Sequence, residues 1–242
     1  MMRKNTAAFT LIELLIVITI IAVLASIALP AYNGVKERGD QTKDLSNAKQ
    51  VALALRQFAI DNNGAYPAKK PAVDYGDPGA TALGAGDFSN DAFWWLFPNY
   101  LQSEQVFAIS GSAYTPGNPD NKLDPAGAAS RTDTLKKGEN TFAYVSGLTD
   151  TSNPTFPLIA DGFETGSPGK YTLNKAKPGG VWSGKKAVVV FCDASGQIMK
   201  VDAKTNKILR PTGSSTADLF TGSATGDWID STANPVLNPD PP

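Results

Sequence analysis

The segment that most constrains this chain is residues 9–29, FTLIELLIVITIIAVLASIAL, an apolar run in which Glu13 is the only charged side chain. At 1.5 Å per residue its 21 positions make a helix of about 31 Å, close to the roughly 30 Å of a bilayer core. A helix apolar on every side has to be buried in lipid or in other protein. Ahead of it, residues 1–8 carry Arg3 and Lys4 and no acid. Three readings fit this layout. The run is a secretory signal peptide, with Ser26 and Ala28 as small residues for cleavage before Leu29. It is a plain single-span anchor. Or residues 1–8 are a short leader, removed so that the run stays with the mature protein.

Glu13 separates these readings. A carboxylate in a span costs up to ~3 kcal/mol at mid-bilayer and less near an end, and neither a signal peptide nor a bland anchor gains from it. Cleavage between Ala8 and Phe9 would give Phe9 a free α-ammonium four residues before Glu13, a pair that neutralises itself in apolar surroundings. That spacing allows the two groups to meet within one chain, so pairing between chains does not follow from it. An interfacial glutamate near a helix end is the bland alternative.

The string Ala8-Phe9-Thr10-Leu11-Ile12-Glu13-Leu14-Leu15 resembles the prepilin cleavage and methylation signature of type IV pilins and type II secretion pseudopilins. With Phe9 as first mature residue, the signature's acidic position falls on Glu13 and its frequent helix-bending proline on Pro30. One departure is Ala8, where the family usually has Gly. The resemblance implies cleavage by a prepilin peptidase, N-methylation of Phe9, and use of Glu13 to neutralise the amine of a neighbouring subunit. It further implies an inner-membrane protein with a cytoplasmic N-terminus and an outer head, whose helices bundle with copies of itself and with other pilins or pseudopilins. The charge distribution does not fix that orientation independently, because Lys36, Arg38 and Lys43 rival Arg3 and Lys4.

Pro30 lacks the N–H a helix interior needs and is expected to kink or locally break the helix. Beyond it, Leu45, Ala48, Val51, Ala52, Leu55, Phe58 and Ala59 recur at steps of three and four, one apolar stripe of an amphipathic helix. Asn62-Asn63-Gly64 should close that helix and Pro67 prevent its resumption. The segment 47–67 again resembles major pseudopilins, as does 187–201, which reads as two strands around the turn Asp193-Ala194-Ser195-Gly196. No such likeness is evident between them.

The remainder is rich in Gly, Pro, Asp, Ser and Thr. Candidate strands are 141–145, 156–160, 187–192, 197–202 and 207–210, and Asn90 or Asp91 is a candidate cap for a short helix over 93–97. The expected fold is α+β: a long N-terminal helix packed on a small antiparallel sheet with long loops. Its parts are a leader 1–8, a transmembrane or assembly helix 9–29, an amphipathic helix 30–64, a head 65–212 and a polar tail 213–242. The tail is expected to be poorly ordered unless Leu219, Phe220 and Trp228 dock it. Loops 68–89 and 111–138 are long enough for surface display or subunit contacts.

Composition closes other routes. Net charge is −1, from 22 Lys plus Arg against 23 Asp plus Glu, so no broad basic surface for nucleic acid is expected. The chain has no His and one Cys, which removes histidine triads, His-based zinc sites and intrachain disulfides. No catalytic residues are assigned and no cofactor is expected. The exception considered is Ca²⁺ in the head, for which Asp120, Asn121 and Asp124 offer hard oxygen ligands, with a solvated turn as the plainer reading. The run 93–97 and Cys192 read as core. The reading is a non-enzymatic filament subunit, with a membrane-tethered binding protein or enzyme as the alternative.

Overall fold

The computed structural model describes residues 10–67, 88–126, 131–211, 217–222, 228–230 and 234–242. It divides into two units, Met1–Thr42 and Lys43–Pro242. The fold is α+β. Helix α1 (Leu11–Asp61) is followed by the short α2 (Ser89–Phe93) and an antiparallel sheet. The sheet comprises β1 (Phe142–Val145), β2 (Pro157–Asp161), β3 (Lys186–Phe191), β4 (Gly196–Lys200) and β5 (Val236–Leu237), in the order β4-β3-β2-β1-β5.

Pro30 lies inside α1, which continues past it to Asp61. The helix closes where its sequence says it should. Asn63 and Gly64 take left-handed φ of 53° and 82°, and the Gly64 N–H donates to the Ala59 carbonyl at 2.8 Å. A side chain at Gly64 would also meet Asp150, whose Oδ1 stands 2.6 Å from the Cβ position.

In the second unit the apolar stripe is spent on the core: Ala48, Val51, Ala52, Leu55, Phe58 and Ala59 are all buried. The β3–β4 hairpin turns at the expected tetrad, with Ala194 at φ 63° and Asp193 Oδ1 accepting from the Ser195 N–H at 2.7 Å. α1 passes close over this corner. A Cβ at Gly196 would stand 2.8 Å from both Leu45 Cδ1 and Lys49 Cε, so a side chain there would have to push both aside. β1 and β2 are buried at every position, which is why their sequences read as continuous apolar runs without alternation. Edge strand β4 is mostly open to solvent.

Two expectations change. Segment 207–210 is not a strand of the sheet but makes isolated bridges, Lys170 with Lys207 and Leu209 with Asp218. The short helix starts at Ser89, with Phe88 before it and no side-chain cap. It tightens to a 3-10 turn over Trp94–Leu96. Asn90 serves long-range contacts instead: its amide donates to the Leu135 carbonyl at 2.9 Å and accepts from the Asp240 N–H at 3.0 Å. For the tail the stated exception holds: the described parts of 213–242 are built into the head. β5 pairs with β1, Leu219 and Phe220 are buried, and Trp228 Nε1 donates to the Leu219 carbonyl at 2.7 Å. Loop 68–87 lies outside the described residues.

Candidate functional site

In the first unit every residue from Thr10 to Gly39 is exposed. Leu11, Ile12, Leu15, Ile21, Leu24, Ile27 and Val35 are among the large apolar side chains so presented. Within α1 lies the one stretch, among the described residues, long and apolar enough to cross a membrane. Ala8 and Phe9, the expected cleavage and methylation positions, lie outside the described residues.

Glu13 is held by Thr10 in a reciprocal capping arrangement. The Thr10 backbone N–H donates to Glu13 Oε2 at 2.9 Å and the Thr10 hydroxyl to the same oxygen at 2.7 Å. The Glu13 N–H donates back to Thr10 Oγ1 at 3.2 Å. This is the Thr-x-x-Glu box that satisfies orphan donors at a helix start. The pattern Thr10-Leu11-Ile12-Glu13 is itself a local signal for this box. Both bonds to the carboxylate fall on Oε2; Oε1 takes part in neither. A carboxylate beside the positive end of the helix dipole, with one oxygen fixed and the other uncommitted, is suited to receive an ammonium.

The head places the other singled-out residues differently. Trp94, Trp95, Leu96 and Phe97 are all buried, with the rings of Trp94 and Trp95 edge to face at 5.2 Å. Cys192 is buried, and burial pushes its thiol up to about 12.

The three calcium candidates separate. Asp124 accepts from Trp94 Nε1 at 2.9 Å and from the Asp133 and Thr134 N–H groups at 2.9 and 3.0 Å. It also accepts from the Thr132 N–H and hydroxyl. These donors hold its carboxyl below the usual carboxylate range against the opposing effect of burial. Its lone pairs are consumed in pinning loop 131–135 over the aromatic core, so this part of 111–138 is packing and not display. Asn121 Oδ1 accepts from the Glu104 N–H at 2.9 Å. Asp120 instead comes together with Glu104 and Glu139.

Sequence reasoning also missed a buried acid pair. Asp44 of α1 and Asp161 of β2 are 1% and 0% exposed and lie close enough for their charges to act on each other. Asp161 Oδ2 accepts from Trp182 Nε1 and from the Val188 N–H, both at 2.9 Å. The two Asp44 oxygens and Asp161 Oδ1 have no hydrogen-bond partner among the described residues. Burial, then the adjacent Asp161 charge, drives the Asp44 carboxyl well above the usual range. The site therefore favours the protonated form of Asp44, which avoids a second buried charge beside Asp161.

The family model described as the prokaryotic N-terminal methylation motif matches residues 3–29. The chain is 36% identical over 74 residues to the type II secretion system core protein G of Aeromonas hydrophila, 31% of this chain and 51% of that protein. It is 42% identical over 55 residues to the core protein G of Escherichia coli K12, 23% of this chain and 38% of the relative. It is 39% identical over 71 residues to the type IV major pilin protein PilE1 of Neisseria gonorrhoeae, 29% of this chain and 33% of the pilin. The chain thus spans about half or less of the length of these relatives. No solved structure matches it.

Proposed function

We propose that this chain is a structural subunit, a pilin or pseudopilin, of a type IV pilus-like or type II secretion filament. A prepilin peptidase cuts it between Ala8 and Phe9, and Phe9 is then N-methylated. Until assembly the apolar part of α1 anchors it in the inner membrane, N-terminus in the cytoplasm and head outside. Assembly transfers that helix from lipid into a bundle made with other copies and related subunits. The chain is a substrate of a processing enzyme and carries out no catalysis of its own.

The observation that carries this reading is the coincidence of three features on one segment. The methylation motif covers residues 3–29, the described helix within it is exposed along its whole length, and the single acid of its apolar run, Glu13, sits in the first helical turn. Lipid or neighbouring helices have to cover those side chains, since leaving each one in water forfeits about 1.5–3 kcal/mol. Cleavage supplies the charge partner. The Phe9 ammonium of an incoming subunit meets the Glu13 carboxylate of its neighbour, and neither charge enters the apolar bundle uncompensated. Thr10 keeps the carboxylate in its capping pose while it waits.

Replacing Glu13 tests this. Glu13→Ala is expected to insert and be processed at normal levels but to assemble at least tenfold less filament, scored by shearing and immunoblotting. Normal filament from that variant would remove the role given to the acid.

A further inference from the structure

Acids and bases nearly cancel over the whole chain, 23 against 22, but not at one end of the head. The head-side part of α1 runs along the sheet from one end to the other. Asp44 lies beside Asp161, the last residue of β2, whose Oδ2 accepts from Val188 near the start of β3. Arg56 Nη1 donates at 3.4 Å to the Asp193 carbonyl, in the turn beyond the far end of β3. The end at which the chain enters the head therefore carries the start of β3 and the end of β4. There Lys186 stands opposite Lys200, and the Lys185 carbonyl accepts from the Val201 N–H at 3.0 Å. Two loops close on the same end. A Cβ at Gly184 would stand 3.0 Å from the Leu173 nitrogen, and one at Gly180 would stand 3.1 Å from Lys175 Cα. The Tyr171 N–H donates to the Asn206 carbonyl at 2.8 Å, which brings the 202–207 turn alongside.

Six exposed lysines gather there: Lys175, Lys177, Lys185, Lys186, Lys200 and Lys204. Among the described residues none of the six forms an ion pair. The nearby acids are already engaged. Glu164 binds Lys170 at 3.4 Å and Asp218 binds Lys207 at 2.8 Å. Asp202 accepts from the Lys204 and Thr205 N–H groups of its own turn at 3.1 and 2.8 Å. Like charges directly opposite each other destabilise a sheet, so Lys186 and Lys200 carry a cost. Lysines on an edge strand also block unwanted strand pairing, but Lys175 and Lys177 lie in a loop and guard no edge. Among these ammonium groups Leu173 is 65% exposed, a large apolar side chain left outside the core.

We propose that this lysine surface rests on the anionic phospholipid headgroups of the bilayer that holds α1, with Leu173 entering the interfacial layer. The inference rests on the membrane anchor of the filament reading and adds a second contact to it. Only residues 30–42 separate the apolar run from the lysine end of the head, about 20 Å of helix. Ammonium groups pair with headgroup phosphates, and each lysine near an anionic surface strengthens binding about fivefold. An apolar side chain among cations suits the boundary between headgroups and acyl chains. It offers nothing to the phosphates of a nucleic acid, which the same lysines could otherwise meet. The anchor makes the contact intramolecular, so individually weak pairs add up. The contact holds the unassembled subunit against the bilayer and is given up when α1 leaves the lipid.

The test uses the full chain with a fluorophore on the exposed position Ala176→Cys, Cys192 being buried. It is reconstituted into vesicles of phosphatidylcholine, alone or with about one third phosphatidylglycerol. Flotation scores insertion, and quenching by a headgroup nitroxide lipid scores contact of the head. Flotation is expected with both vesicles, and quenching about threefold stronger with the anionic lipid. That excess should vanish in about 0.5 M NaCl, where screening shortens to a few Å. A variant carrying Lys175→Gln, Lys177→Gln, Lys185→Gln and Lys186→Gln should float equally and lose the excess, and Leu173→Ser should lose about half of it. Equal quenching in the two vesicles, with flotation intact, would overturn the proposal and leave the anchor standing. An excess that survives in the quadruple variant would overturn it too. Release of the head by duplex DNA at physiological salt would make nucleic acid the occupant and overturn the lipid assignment. A chain that floats with neither vesicle would remove the anchor and this contact together.

Discussion

The two ends of α1 share one secondary structure and meet different surroundings. From Leu11 to Gly39 no side chain is sheltered, although most are aliphatic; from Ala48 to Ala59 a single face is buried and the opposite face is open. The first stretch is all payload and no fold: nothing in its own unit needs it. The second is the wall of a core. Helix propensity cannot separate them, because aliphatic residues serve both. What separates them is the period of the apolar positions, continuous in one and stepped by three and four in the other.

This contrast breaks first where the two ends should respond oppositely to the same kind of change. Phe58→Ala, in the core-facing stripe and against Tyr100 at a ring distance of 5.7 Å, should destabilise the head by about 3–5 kcal/mol in urea unfolding. Ile20→Ala, on the exposed stretch, should leave that transition within about 0.5 kcal/mol. An equal loss in both would mean that the exposed stretch supports the head.

A second test concerns the acid pair under the head-side end of the helix. An acid that holds its proton more tightly when folded than when unfolded stabilises the fold fully below its unfolded pKa. It loses that contribution as pH rises through the folded value. Asp44 is such a group, so head stability should fall as pH rises from about 4 toward and beyond neutrality. Asp44→Asn, which keeps a donor for Asp161 and carries no proton to lose, should flatten that slope and raise stability at pH 8 by of order 1 kcal/mol. A wild-type profile that rises over the same range would contradict the assignment.

The smallest effect belongs to the capping box. Thr10→Val deletes the hydroxyl from the Thr10–Glu13 exchange and should cost the helix start about 1 kcal/mol. The head Tm should be unchanged and filament yield reduced by less than Glu13→Ala reduces it. Loss as complete as that of the glutamate variant would make Thr10 more than a positioning residue.

The features that could be read ahead of the structure are those written in local pattern. The stripe 45–59, the closure at Asn63-Gly64, the hairpin turn at Asp193-Ala194-Ser195-Gly196 and four of the five strands each depend on residues within a few positions. What escaped depends on distant partners. β5 is two residues long and exists because β1 offers an edge. Asn90 looked like a cap and is a buried tether to Leu135 and Asp240. Asp44 owes its burial to Asp161 and the sheet, and Asp161 lies far along the chain. Asp120 and Asp124 sit four residues apart and part company, since the Trp94 indole and the 132–134 amides claim one of them. The Thr10–Glu13 box was legible by spacing, yet a chemical reading of Glu13 masked it.

The central claim is that a cut before Phe9 gives Glu13 its positive partner, and the N-terminal mass of the mature protein addresses it most directly. Mass spectrometry of sheared filaments, after proteolysis, should return a peptide beginning at N-methylated Phe9. Assembled protein that still begins at Met1, or that begins at Leu29, would contradict it.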